Sequence, residues 1–152
     1  RSSRYDYARR LTMRAFLRRD AAEVVEKLKK AGLAVGVIAD GSPAVQRQTI
    51  RALGLEPLMD FIVISGMEYY SKPHERVFQR GPELIKIGAE HMLHVGTSPI
   101  RDILGATRAG MATAWLRTGR RQVPEGYPSA DYTIRRLRQV LQIVVGTGGD
   151  QA

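Results

Sequence analysis

A chain of 152 residues is long enough for one domain with a real core and short for two. Its 43% hydrophobic and 26% charged residues are those of an ordinary globular protein, and with no long apolar run it predicts no membrane span. The lack of cysteine removes disulfides, thiol nucleophiles and thiolate metal sites. The net charge of +9, with arginine well ahead of lysine, points either to a solvated basic surface or to an acidic protein or RNA as partner.

Residues 1–19 are dense in arginine, with Asp6 as the one acid. Tyr5, Ala8 and Leu11 suit one side of a basic helix. The first residue is Arg1 rather than Met, as in a processed or partial chain, and the opening residues lack the apolar core of a secretory signal. The expected location is therefore the cytoplasm or an organelle matrix. Asp20, with Glu23 three residues on, reads as a capping box. It opens a helix with Ala21, Val24, Val25 and Leu28 on its apolar face, which Gly32 ends. Leu33–Ala39 is apolar throughout, as in a strand covered on both faces. Asp40-Gly41-Ser42-Pro43 turns the chain, with Ser42 as N-cap and Pro43 at the first helical position. The next helix is expected to bury Val45, Ile50 and Leu53 before Gly54.

Phe61–Ser65 reads as a second buried strand, followed by a loop, Gly66–Pro73, and a helix from about His74. Gly81-Pro82 is expected to kink or split that helix. Met92–Gly96 and Ala112–Leu116 read as the third and fourth strands, with a polar turn and a helix from Asp102 to Ala109 between them. Asp131–Thr133 suits a short edge strand. Ile134, Leu137, Val140, Leu141 and Val144 have helical spacing, and residues 146–152 are expected to be a disordered tail. Strand–helix alternation with short loops predicts a three-layer α/β/α parallel sheet over residues 20–145.

Four pieces stand in one order: VGVIADGSPAVQ, FIVISGMEYYSKPHERVF, HVGTSPIRDILGATRAGM and SADYTIRRLRQVL. Together they resemble the haloacid dehalogenase-like (HAD) hydrolase superfamily, from just before its second motif to its C-terminus. The resemblance implies a Rossmann-like fold and phosphoryl transfer. An aspartate nucleophile on a central strand, a second aspartate two residues on, a phosphate-binding hydroxyl, a lysine and Mg²⁺-binding acids would carry it.

Carried over by position, the resemblance implies Lys72 as the lysine and Asp102 as an acid, both as catalytic candidates, with Asp102 also the candidate Mg²⁺ ligand. Asp40, the Gly41 backbone N–H and Lys72 would meet phosphate. Ala39 stands where a Ser or Thr is expected, and Thr97 where the first acid is expected; threonine brings no charge to a metal. The Asp-x-Asp nucleophile motif is absent. Two readings follow. One is a degenerate, non-catalytic binding or structural module, a pseudoenzyme. The other is a phosphatase of small phosphate esters that uses Mg²⁺, with its nucleophile in a segment or chain beyond these residues. On the first reading no cofactor is expected. On either, residues 1–19 are expected to end a cap-like region, and a strand from elsewhere, including a strand-completing partner chain, is expected between Leu33–Ala39 and Met92–Gly96. Asp102 also suits a helix cap. His91 and His94, three apart on one strand, are expected on opposite faces and not as a zinc pair. Trp115 and Tyr69-Tyr70 are expected to pack.

Overall fold

The computed structural model describes residues 20–145. The expected basic helix and cap end in 1–19, and the expected tail in 146–152, lie outside the described residues. Among the described residues five strands and five α-helices follow one another, alternating as far as β4. They are α1 (Asp20–Lys30), β1 (Gly36–Ala39), α2 (Pro43–Ala52), β2 (Phe61–Ile64), α3 (Glu75–Ile85), β3 (Leu93–Gly96), α4 (Gly105–Arg108), β4 (Ala112–Leu116), β5 (Tyr132–Ile134) and α5 (Val140–Val144). Every strand pair is parallel, as the alternation predicts.

The strands form two groups. β1 pairs with β2, and β3, β4 and β5 pair in that order. Among the described residues β1 makes no ladder with β3. Helices nonetheless tie the groups together on both faces, because successive strand residues point to opposite sides. On one face Val63 packs with Val77 and Phe78 of α3 and with Ala106 and Met111, and Ile38, Phe61 and Met92 join them. On the other face α1 reaches both groups: Ala21 and Val25 pack with Val37 and Ile62, while Val24 packs with Leu116 and Ile134 beside Leu93 and Val95. Two half-sheets thus share two helical layers, with an open position between β1 and β3. β5 is short but its start is pinned. The buried Thr113 donates its N–H (2.9 Å) and hydroxyl (3.3 Å) to the Asp131 carboxylate, and accepts from the Asp131 N–H at 3.1 Å.

Several local expectations need correction. β1 begins three residues later than the apolar run. Leu33 N–H turns back to Leu28 C=O at 3.2 Å to close α1, and Val35 is held by Asp60, donating to its carboxylate at 2.7 Å and accepting from its N–H at 2.7 Å. β1 and β3 are only partly buried, not covered throughout. Ser42 has extended N-cap geometry but its side chain accepts no capping bond. Val45 is 37% exposed and Gln46 takes the inner place, donating to Asp40 C=O at 2.8 Å.

Gly81-Pro82 does not break α3, which runs unbroken over Glu75–Ile85. A Cβ on Gly81 would stand 2.6 Å from the Phe61 ring, so the glycine lets the helix settle onto β2. The segment after β3 winds as a π-helical turn, Pro99–Leu104, before α4. Ile134 belongs to β5, so the final helix is reduced to a 3₁₀ turn, Leu137–Gln139, and α5. His91 sits on an exposed 3₁₀ turn and not on the strand.

Phe78 is fully buried where the two half-sheets meet α3. Phe78→Ala is expected to cost about 3–5 kcal/mol of stability in urea unfolding. Val45→Ser, at the exposed position, should change it by less than about 0.5 kcal/mol.

Candidate functional site

The candidate residues all follow the carboxyl ends of strands: Asp40 and Gly41 after β1, Lys72 in the loop after β2, Thr97 and Asp102 after β3. From the open position the chain builds outward in both directions, β1 to β2 one way and β3 through β5 the other. In parallel α/β sheets that reversal point is where ligands are held.

Asp102 is the hub. Its Oδ1 accepts from Lys72 Nζ at 2.6 Å and lies 3.1 Å from His94 Nε2. Its Oδ2 accepts from the backbone N–H of Thr97 (3.2 Å) and Ser98 (3.1 Å). The side chains of Lys72 and Asp102 are only 13% and 9% exposed. Gly96 makes the approach available, because a Cβ there would collide with the Asp102 carboxylate. Gly105 plays the same part behind Lys72, where a Cβ would strike the Phe78 ring. Phe78 lies under the cluster, with the Lys72 ammonium 5.9 Å from its ring centre and His94 edge-on at 4.9 Å.

The neighbouring loops are fixed as tightly. Asp40 Oδ1 accepts from Lys72 N–H at 3.0 Å. Ser65 Oγ accepts from Gly41 N–H at 2.9 Å, and Gly66 N–H donates to Gly41 C=O at 3.0 Å. The Gly41 N–H assigned to an anion is therefore already engaged. Ser98 caps the π-helical turn by accepting from Arg101 N–H at 3.1 Å. Thr97 is held by its backbone, with its C=O accepting from the indole N–H of Trp115 at 3.1 Å.

Burial pushes the Asp102 carboxyl pKa up. The His94 hydrogen bond, the charges of Lys72 and His94, and the Lys72 hydrogen bond outweigh it and hold the group well below the usual carboxylate range. Burial pushes His94 below its ordinary 6.5, against the hydrogen bond and charge of Asp102, and Lys72 pushes the same way as burial. At pH 7 His94 is thus neutral. An ionised carboxylate can only accept, so the Nε2 facing it carries the proton.

His94 is the site residue that sequence reasoning missed. Its signal was a lone histidine in an apolar strand, directly before Val95-Gly96. Histidine is also the tip of a second local pairing: the rings of Tyr70 and His74 stack at 4.1 Å in the loop that delivers Lys72, with His74 Nδ1 accepting from Arg76 N–H at 3.1 Å to cap α3. Tyr69 projects fully into solvent instead of packing, and Tyr70 is partly exposed.

A carboxylate offers about four acceptor positions, and all four on Asp102 are filled by protein donors. One of the four donors is itself a cation, the Lys72 ammonium. Among the described residues no group of three His, Asp or Glu side chains could hold a metal ion. These residues by themselves do not fit Mg²⁺.

The profile of the haloacid dehalogenase-like hydrolases matches residues 7–116, most of the chain. The chain belongs to this family. Glyceraldehyde 3-phosphate phosphatase from Pyrococcus furiosus is 32% identical over 131 residues, 85% of this chain and 55% of that protein. The enzyme of the same name from Methanocaldococcus jannaschii is 33% identical over 118 residues, 78% and 52% of the two chains. The HAD phosphatase from Thermococcus onnurineus superposes with a TM-score of 0.75 at 27% identity, over 84% of this chain and 57% of that one. The HAD-hydrolase YfnB from Bacillus subtilis, solved with magnesium bound, also gives 0.75, at 26% identity over 82% and 54%. The chain spans about half the length of the curated relatives it matches. Among the described residues no helix is long and apolar enough to cross a membrane.

Asp102→Ala strands the Lys72 ammonium and two loop N–H groups, and should cost about 3–5 kcal/mol in chemical unfolding. The pH dependence has a definite sign. His94 is lowered on folding, so its contribution is complete above pH 6.5 and declines as the pH falls below it, because the unfolded chain takes up a proton that the fold refuses. Asp102 is lowered too, so its contribution is complete above its ordinary 3.8 and is lost as the pH falls through the folded value. Urea midpoints should therefore drop first as the pH falls below about 6.5, ahead of the Asp102 loss at more acid pH. His94→Gln should flatten that upper segment and leave the acid limb.

Proposed function

We propose that the protein hydrolyses small phosphate esters by the phosphoryl-transfer chemistry of its family, the described residues supplying the part of the site that receives and steadies the phosphate. The observation that carries this reading is the Lys72–Asp102 contact of 2.6 Å at the carboxyl edge where the two half-sheets meet. Phosphoryl transfer needs fixed positive charge beside the phosphate oxygens. Asp102 holds the ammonium in place, Phe78 and His94 keep water from its inner side, and the two remaining ammonium protons can meet an anion. Asp102 acts through Lys72 as a positioning residue. The relatives named as phosphatases support hydrolysis over a purely structural role.

The nucleophile is assigned to a strand from outside the described residues, in this protein or a partner chain, seated between β1 and β3. That strand is supported by two ladder edges left open while helices bridge both faces. Mg²⁺, if used, would need ligands from the same source, since Asp102 has no acceptor position left and Thr97 offers no charge.

The second reading, a non-catalytic module that binds an anion, is favoured by that saturation of Asp102 together with Ala39 and Thr97. The two part company in one experiment on the full-length protein. p-Nitrophenyl phosphate and glyceraldehyde 3-phosphate are offered with Mg²⁺ and with EDTA. Turnover that falls by roughly 10²-fold or more in kcat/KM on Lys72→Ala supports the hydrolase. A folded protein that binds phosphate through Lys72 but turns over neither ester overturns the hydrolase in favour of the module.

A further inference from the structure

On the opposite helical layer, between the second half of α1 and the chain from Arg135 into α5, lies a cavity of about 470 Å³. Its walls are Lys27, Arg135, Arg136, Arg138, Gln139, Leu141 and Gln142. Four of these side chains are cationic and none is acidic. None belongs to the Lys72–Asp102 cluster. The only ion pair made by these four among the described residues is Lys27 with Glu23, exposed and loose at 3.8 Å.

The wall is built and not merely basic. Gln139 Oε1 accepts from the backbone N–H of both Arg135 (2.7 Å) and Arg136 (2.8 Å). That double bond-pair fixes the amide with its carbonyl inward, so its NH₂ is the end left to donate. Arg135 is itself tied, giving one Nη1 hydrogen to Gly119 C=O at 2.8 Å. Leu137, at the base of the same turn, packs against α1 in both apolar clusters of that face. The arginines therefore stand on a turn held from below and behind.

We propose that this cavity is a second anion site, for a small molecule carrying two or more linked phosphate groups. Guanidinium forks match phosphate oxygens in pairs, and several of them facing one space favour a multiply charged ligand over a single carboxylate. The volume falls in the range of small-ligand pockets, about 300–1,000 Å³. The walls carry no aromatic ring on which a base could stack, which argues for a compact polyphosphate rather than a single-stranded RNA. Four of the chain's 24 lysines and arginines line this one pocket.

The test is titration calorimetry of the whole chain with inorganic tripolyphosphate at constant ionic strength. Saturable one-to-one binding is expected. The double variant Arg136→Ala/Arg138→Ala, at two exposed positions where folding should be unaffected, should weaken it at least about tenfold. Lys72→Ala should leave it unchanged. Binding that survives the double variant, or that disappears with Lys72, overturns the proposal. So does the absence of saturable binding, and so does a single-stranded RNA that binds more tightly than tripolyphosphate through the same two arginines.

Discussion

A carboxylate taken out of water must find donors for its oxygens or remain protonated. Asp102 finds four, and the site depends on that solution. Lys72 reaches it from the loop after β2, His94 from β3, and Thr97 and Ser98 from the turn after β3. One group thus ties the β1–β2 half to the β3–β5 half at the edge where neither half-sheet pairs with the other. The packing below follows from it. Phe78 is shared by Lys72 and His94, and the same ring belongs to the apolar cluster that joins α3 to strands of both halves.

This arrangement has an electrostatic consequence. Lys72 is the charged partner and His94 is neutral at pH 7, so the cluster of three side chains carries no net charge. An arriving phosphate would draw Lys72 between two anions, its own Asp102 and the ligand. In a nearly buried setting such a shared cation is worth more than on a surface. Asp40 adds a further negative group on the Lys72 backbone, which favours orientation of the lysine loop over direct attraction of an anion.

Much of the fold was legible. Hydrophobic runs bounded by Gly and Pro marked four strands, and the parallel pairing follows from the helices between them. What misled was local competition. The apolar run Leu33–Val35 reads as strand, yet Leu33 closes α1 and Val35 is held by Asp60, a partner far away in sequence. Pro82 reads as a breaker, yet it is buried beside Gly81, which lies against Phe61, and the helix runs through it. Lys72 and Asp102 were legible from motif context, and the structure brings them together. Gly41 does fall in the loop after β1, but the Ser65 hydroxyl that consumes its N–H lies just past the end of β2. His94 reads in the sequence only as a metal-ligand candidate, and its place in the site goes unread because that depends on a carboxylate eight residues later that folds back over the strand end.

The indole of Trp115 donates to the carbonyl of Thr97, and Trp115 is the sole tryptophan of the chain. Its ring is buried, with the Arg117 guanidinium 5.5 Å from its centre. The protein therefore carries its own optical reporter, wired by one hydrogen bond to the turn that grips Asp102. Any event that loosens this turn would alter the polarity around a single fluorophore, so intrinsic emission follows the state of the site without an added label.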